Sequence, residues 1–396
     1  MLVNNPIDEV KKRENSLKII RDIIKNQGRE NLYDLTGLSG GFIANQNDLN
    51  LLETYVGPAI FEEELEELGK KHLGGEKILA VNRTSSGILA TILTLVKADS
   101  YLIHFLPELP SHPSIIKSVD IVKGKYLEFD NIDDFYIANN TSLIVITGST
   151  MDHRVLDEET FKKIIAIAHE HDIPVFVDDA SGARLRTVIY NQKKAIDLGA
   201  DLVITSTDKL MPGPRGGLMA GRANLIDKIK SKAYQFGLEA QPPSIIAIVN
   251  GLKAFKKENL LKSLQRKKSL ISMLNSYSFF EETPTGIMIS KKGLQKEING
   301  CGKIDKQTLS QIYKFISSSD LCFIWAALLL KEEGIITIPA VSMPGASPTI
   351  RFDLSSKDAI TLDMNTLYKK IDSSFKSLLD TIQDLDKSKR VLYGNQ

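Results

Sequence analysis

Asp201-Leu-Val-Ile-Thr-Ser-Thr-Asp-Lys-Leu-Met-Pro-Gly-Pro-Arg-Gly-Gly217 is the stretch on which the reading of this chain turns. Residues 202–204 are a short apolar run, the pattern of a buried strand. Thr205, Ser206, Thr207 and Asp208 come next as a polar turn that delivers Lys209. Behind it Pro212, Gly213, Pro214, Gly216 and Gly217 forbid helix and favour tight turns. An amine presented directly after a buried strand needs a receiver. Either it points into water from a Pro/Gly surface loop, or it meets an aldehyde, which a desolvated lysine captures as a Schiff base.

Outward from this stretch, strands and helices alternate. Strands are predicted over 78–81, 101–105, 125–129, 143–147, 174–177, 202–205 and 217–221. Helices are predicted over 86–97, 114–119, from the cap Asp157 to 171, and over 224–236. Short Val/Ile-rich strands separated by helices make an α/β fold with a mostly parallel sheet covered on both faces. Ahead of it, Ile7, Val10, Leu17, Ile20 and Ile24 mark an amphipathic helix expected outside the main core. An acid-rich helix over 60–71 ends at Gly74-Gly75. Gln241-Pro-Pro243 reads as a boundary. Beyond it come a long helix over 244–274, strand-like pieces at 286–290, 335–339 and 349–354, and a last helix over 364–385. The expected organisation is a helical arm (1–30), a large α/β domain (31–240) and a smaller α+β domain (241–396).

Composition narrows the function classes. A net charge of +1, with 42% hydrophobic and 25% charged residues, exerts no global pull toward nucleic acid or membrane. No apolar run reaches spanning length and the first twelve residues are polar, so no membrane helix or signal peptide is expected. Cys301 and Cys322 cannot build a disulfide framework, and no metal-type Cys/His spacing exists. His169 and His171 sit two apart, on different faces of a helix, and make poor metal ligands. A cytoplasmic protein without a metal is the expectation.

In an open α/β sheet ligands bind beyond the carboxyl ends of the strands, so the residues just past each strand form the candidate site. After the first comes Thr84-Ser85-Ser86-Gly87, a phosphate cradle at a helix N-terminus or a plain N-cap. After the second, His112 either stacks on a flat ring or caps a helix. After 143–147, Gly148-Ser149-Thr150 can touch ligand oxygens or form a simple turn. After 174–177 come Asp178-Asp179-Ala180-Ser181-Gly182-Ala183-Arg184. Asp178 prolongs an apolar strand, where a carboxylate asks for a cation: a salt-bridge partner or a protonated pyridine nitrogen. Lys209 completes the series. Phosphate, flat ring, pyridinium and aldehyde together describe pyridoxal 5′-phosphate. No G-x-G-x-x-G succeeds the first strand, which speaks against a dinucleotide fold.

This order of hydroxyls, His, Val-Asp-x-Ala and Ser-x-x-Lys resembles fold type I pyridoxal phosphate enzymes, the aspartate aminotransferase superfamily. Asp178-Asp-Ala-Ser-Gly182 and Asp208-Lys-Leu-Met-Pro-Gly-Pro-Arg-Gly-Gly217 are similar to the corresponding segments of bacterial selenocysteine synthase, L-seryl-tRNA(Sec) selenium transferase, and of the archaeal proteins grouped with it. The likeness is strong over about 35–221 and looser beyond. It implies that Lys209 carries the cofactor, that Asp178 pairs with the pyridinium nitrogen and that His112 stacks on the ring. Ser85, Ser86 and Gly87 would hold phosphate with help from Ser206, while Ser149 and Ser181 join the cofactor pocket. Arg351 corresponds to the arginine that clamps a substrate carboxylate, an alternative to a surface ion pair. The resemblance also implies a homodimer or higher homo-oligomer.

The chain departs from the bacterial pattern twice. About one helix precedes the Thr36-Gly37 loop, where the bacterial enzyme has a tRNA-binding domain. The phosphate segment reads Thr84-Ser-Ser-Gly87, as in ordinary amino-acid enzymes. Both point away from aminoacyl-tRNA. The expected function is β-elimination or β-replacement on a seryl-type substrate, with Lys209 as general base at the α-carbon. The alternatives are a lyase or transaminase acting on a free amino acid, which Arg351 favours, and an RNA-binding protein without catalysis. The last would use the basic segment 253–268, otherwise the solvated face of a helix.

Overall fold

Seven strands form the central sheet: β1 (Lys77–Val81), β2 (Tyr101–Phe105), β3 (Lys125–Phe129), β4 (Thr141–Thr147), β5 (Val175–Asp178), β6 (Leu202–Ser206) and β7 (Gly217–Gly221). The computed structural model describes all residues except 275, 276, 278, 395 and 396. The strand order is β1-β7-β6-β5-β4-β2-β3. The pairs β2–β3, β2–β4, β4–β5 and β5–β6 are parallel, whereas β7 is antiparallel to both of its neighbours. Six strands therefore end at one edge. Gly217, the first residue of β7, pairs there with both Val81 and Ser206. The Pro/Gly stretch behind Lys209 is the turn that reverses the chain into β7.

The strand centres are apolar on both faces because both are covered. Ile103, Ile144, Ile146, Val175 and Val177 face one layer, built by helices Val56–Leu73, Glu158–Glu170 and Pro242–Ala254. Leu102, Val145, Phe176, Leu202 and Ile204 face the other, built by Thr84–Leu95, Pro113–Ile121 and Ala223–Phe236. Each fully buried aliphatic side chain contributes about 1.5–3 kcal/mol.

Two compact units emerge, residues 38–257 and a second that joins 1–37 to 258–396. These limits differ from the expected breaks after residues 30 and 240. Pro242–Ala254 supplies Ile245, Ile246, Ile248 and Val249 to the core under the sheet, so the Gln241-Pro-Pro243 signal opens a helix of the first unit. At the other end, Tyr33–Asp34 pairs in parallel with Ile335–Ile336 inside the second unit.

The second unit holds a three-stranded antiparallel sheet: Glu281–Thr283, Gly286–Ile289 and Ile350–Asp353. Its core is organised by Ser318–Glu333, a helix buried continuously from Asp320 to Leu330. Trp325 lies at its centre, with the indole N–H donating to Ser374 Oγ at 3.0 Å. The long helix expected over 244–274 is two helices, Pro242–Ala254 and Lys257–Met273, separated at Phe255, whose backbone is extended. The last helix stops at Thr381 and a new one, capped by Asp384, covers Leu385–Tyr393. The piece at 335–339 is a two-residue strand and then the short helix Ile338–Val341. Among the described residues no helix is long and apolar enough to cross a membrane.

Candidate active site

The sheet edge defined by Val81, Thr147, Asp178, Ser206 and Gly217 carries the candidate site. Asp178 is the last residue of β5. Burial raises its carboxyl to about 6; the Lys209 amine pulls it back, and Asp179 pushes it up further. The carboxylate accepts the Ala180 N–H, yet Oδ1 is buried with no hydrogen-bond partner. The salt bridge that the sequence leaves open as an alternative belongs to the next residue. Asp179, 1% exposed, is paired with the fully buried Arg186, whose Nε lies 3.1 Å from Oδ1.

Lys209 sits on a backbone pinned from several sides. Leu210 has a φ of 58°, a left-handed conformation that costs a leucine about 1–2 kcal/mol. Gly40 N–H donates to the Asp208 carbonyl at 3.2 Å. A Cβ on Gly40 would lie 2.3 Å from the Gly213 carbonyl oxygen, and one on Gly213 would lie 2.3 Å from that of Thr207, so both positions require glycine. Ser206 Oγ donates to Asp208 Oδ1 at 2.5 Å. Arg184 lies beneath, fully buried. It donates to the Lys209 carbonyl at 3.0 Å and to Thr205 Oγ1 at 3.2 Å, and also reaches the Met211 sulfur. Burial lowers even this guanidinium to about 10, an effect that Asp208 and Asp179 oppose.

Thr84–Leu95 begins beside Gly217 with Arg83 at its N-cap position and no side-chain cap. The N–H groups of Ser86 and Gly87 bond the Arg83 carbonyl, while those of Thr84 and Ser85 precede the first such bond. The plain N-cap alternative for this segment is thus not what forms. Gly87 lets the helix close on the sheet: a Cβ there would lie 2.4 Å from Ile204 Cδ1. His112 caps Pro113–Ile121 with Nδ1, accepting from the Ser114 N–H at 3.2 Å. Although the residue is exposed at the surface, desolvation by its crowded surroundings, then Lys209, Arg83 and Lys117, hold its pKa down at about 4, so the ring is neutral at pH 7. Ser149 and Ser181 share a hydrogen bond of 2.7 Å.

Lys209 is therefore close enough to act electrostatically on both Asp178 and His112, and Ser149 and Ser181 meet on adjoining turns. Arg351 is in the other unit, 4% exposed, and donates to the Thr36 carbonyl at 2.7 Å. The basic segment is split between two helices. Lys253 pairs with Glu64, and Lys267 with Glu282. His169 Nε2 lies 3.2 Å from Asp201 Oδ2.

Sequence reasoning misses three features of this region. Arg184 has no role in the linear reading, although an arginine six residues after a strand-ending aspartate, among Ala and Gly, has few places to go but inward. Asp179–Arg186 is visible in sequence only as an acidic doublet. His104 is fully buried, bonded to Thr147 Oγ1 at 2.8 Å and to Tyr126 OH at 2.7 Å, and Tyr126 in turn bonds Ser111 beside His112. A histidine inside a Tyr-Leu-Ile-His-Phe strand is its only signal.

Known proteins place this geometry in a family. Residues 134–282 match the L-seryl-tRNA selenium transferase family and residues 276–363 the UPF0425 C-terminal domain. A UPF0425 pyridoxal phosphate-dependent protein of Methanothermobacter thermautotrophicus is 50% identical over 99% of this chain and 100% of its own length. One from Methanococcus maripaludis is 43% identical over 89% and 94%. An L-seryl-tRNA(Sec) selenium transferase of Clostridium botulinum is 20% identical over 80% of this chain and 71% of its length. Among solved structures, a SepCysS–SepCysE N-terminal domain complex matches with a TM-score of 0.57 at 15% identity, covering 90% of this chain and 98% of the other. A Sphingomonas wittichii serine palmitoyltransferase matches with 0.56 at 15%, covering 95% and 85%. The architecture is that of fold type I pyridoxal phosphate enzymes. With a near full-length relative identical at half its positions, the chain belongs to the UPF0425 family of pyridoxal phosphate-dependent proteins.

Proposed function

We propose that this chain is a pyridoxal phosphate-dependent enzyme of the β-elimination or β-replacement class, acting on a seryl-type substrate as a homodimer or larger homo-oligomer. The observation that carries the cofactor site is the orphan Oδ1 of Asp178, a buried acceptor beside a lysine amine. The group fits these residues. A protonated ring nitrogen would satisfy this acceptor, which has no hydrogen-bond partner among the described residues. The first-turn N–H groups of Thr84 and Ser85, with the hydroxyls of Ser85, Ser86 and Ser206, suit a phosphate. When bound, pyridoxal phosphate supplies a carbonyl carbon for amines and a sink for the electron pair of the substrate α-carbon.

The chain's own residues do the rest. Lys209 Nζ would hold the cofactor covalently, and its free amine would serve as the base for the substrate α-proton. Asp178 would be ionised opposite a cation and would favour the protonated form of the ring nitrogen. His112, neutral at pH 7, offers a flat face without adding positive charge. Arg184 fixes the Lys209 carbonyl, so the amine swings from an anchored backbone. The likeness to L-seryl-tRNA(Sec) selenium transferases supports seryl-type chemistry at the β-carbon.

The test has two stages. Purified protein is incubated with pyridoxal phosphate, reduced with borohydride and mapped by mass spectrometry. The label is expected on Lys209 and absent in Lys209→Ala; a label that survives the substitution sinks the site. The loaded protein is then offered seryl-tRNA, free serine and O-phosphoserine. Release of the β-substituent supports the proposed class, whereas amino-group transfer from a free amino acid supports the transaminase alternative.

A further inference from the structure

The N-terminal helix Pro6–Gln27 turns one aliphatic line inward and leaves a second one in solvent. Its buried residues are Lys12, Ser16 and Ile23. The Lys12 amine bonds the Pro339 carbonyl and lies 4.5 Å from the centre of the Phe323 ring. Arg13 Nε donates to the Val341 carbonyl at 3.1 Å, and Asn15 to those of Val391 and Leu392. These polar anchors, together with Ile19, Ile20 and Ile23 packed on the cluster of Leu32, Leu330 and Ile336, fix which face looks inward. Outward go Ile7 (67% exposed), Val10 (42%), Leu17 (41%) and Ile24 (43%). Four of the five aliphatic residues that define its amphipathic pattern thus lie in solvent.

Their spacing is specific. Residues 7, 10, 14, 17, 21 and 24 alternate steps of three and four, a heptad seam in which Val10, Leu17 and Ile24 repeat every seven residues. Glu14 and Arg21 interrupt it. Immediately beside the aliphatic line run Lys11, Lys18 and Lys25, also every seven residues and all exposed. A single narrow line of this kind is the geometry of a helix–helix seam. A bilayer surface favours a wider apolar face, commonly with aromatic residues, which this helix lacks. An RNA phosphate track would use the lysines and leave the aliphatic line in water. The exposed strip carries Glu14 against Arg21, Lys11, Lys18 and Lys25, so a second copy of this helix would bring like charges together.

We infer that the outer face of Pro6–Gln27 is a docking surface for an acidic amphipathic helix of another protein, with aliphatic residues in its seam and carboxylates beside the lysine line. The surface is independent of the cofactor chemistry.

The test uses the full-length, cofactor-loaded protein and a fluorescent three-heptad peptide with Leu at the seam positions and Glu flanking them. Its control is a twin with Lys in place of Glu. The acidic peptide is expected to bind, more weakly at high salt, and the basic twin not to bind. Leu17→Glu, which alters a side chain facing solvent, is expected to weaken binding about tenfold to a hundredfold, the effect of losing one buried leucine. Lys18→Glu removes the charge match and is expected to weaken it further at low salt. An unchanged cofactor spectrum in both variants confirms an intact fold. Equal binding of both peptides, or of neither, overturns the inference. So does self-association in sedimentation that Leu17→Glu abolishes, or flotation with anionic vesicles or retention of RNA that depends on the same residue.

Discussion

Replacing Asp178 with asparagine should make the cofactor-free protein more stable while abolishing its cofactor site. The carboxyl's ordinary pKa is 3.8 and its pKa in the fold is about 6, so the folded state holds the proton more tightly than the unfolded chain. Folding is therefore favoured while the group is protonated, below about pH 4, and that advantage is lost as the pH rises through about 6. The difference corresponds to about 3 kcal/mol of ionisation cost at pH 7.5 and about 1 kcal/mol at pH 4.5. Asparagine has the shape of the protonated acid and never ionises. Urea unfolding of the apo proteins should place Asp178→Asn about 3 kcal/mol above the wild type at pH 7.5, with the gap closing toward pH 4.5. Pyridoxal phosphate should reverse the order, since only the carboxylate can hold a protonated ring nitrogen. A variant no more stable than the wild type at pH 7.5, or a gap that does not change with pH, refutes the orphan-carboxylate reasoning.

The neighbouring carboxylate should behave in the opposite way: Asp179→Asn strands the buried Arg186 cation and should cost about 3–5 kcal/mol in the same unfolding assay. Arg184→Met removes the donor to the Lys209 carbonyl, costing about 1–3 kcal/mol. It should also weaken pyridoxal phosphate capture, measured by absorbance titration, more than Arg184→Lys does. The His112 ring should titrate near 4 by proton NMR, so that cofactor capture between pH 5 and 8 varies with Asp178 and not with His112; a midpoint near the ordinary 6.5 would show the ring in open water.

The central sheet is legible in the sequence because most of its strands are short apolar runs, several rich in Val and Ile, closed by a turn signal, and the helices between them keep the helical period. Less legible are elements whose pattern has no period. Ser318–Glu333 is apolar all round because it is buried all round, so Leu321 to Leu330 give no amphipathic signal. Phe255, in a segment that otherwise reads as continuous helix, hides the break between two helices. Within the candidate site, Asp178 and Lys209 stand out in the sequence because a charged residue at or just beyond the end of a buried strand is costly and demands an account. Which aspartate of the Asp178-Asp179 doublet finds a protein cation depends on where Arg186 returns after a turn of helix, and a linear reading cannot resolve that. The N-terminal helix is recognisable as amphipathic but its orientation is not, because its aliphatic residues form two lines and the anchors at Lys12, Arg13 and Asn15 lie on the side of Ile19, Ile20 and Ile23.

The doublet also explains why the site can keep a costly carboxylate at all. If Asp178 stood alone at the sheet edge, the chain could relax to bring a donor to Oδ1, or swing the side chain toward Arg186. Asp179 forecloses both. Its pairing engages the Arg186 guanidinium, and Gly148 and Gly182 crowd it so closely that a Cβ on either would lie 2.0 Å from Oδ1. Arg184 is committed to the Lys209 carbonyl and Thr205. The turn after β5 thus uses both arginines to hold backbone and neighbour in place, and leaves the Asp178 acceptor to the field of the Lys209 amine. Removing the Asp179 charge, which itself pushes the Asp178 pKa up, should lower that pKa and reduce the stabilising effect of Asp178→Asn. An Asp179→Asn/Asp178→Asn double variant should therefore show a stability change at pH 7.5 that departs from the sum of the singles, and additive behaviour would mean the two carboxylates do not share this division of labour.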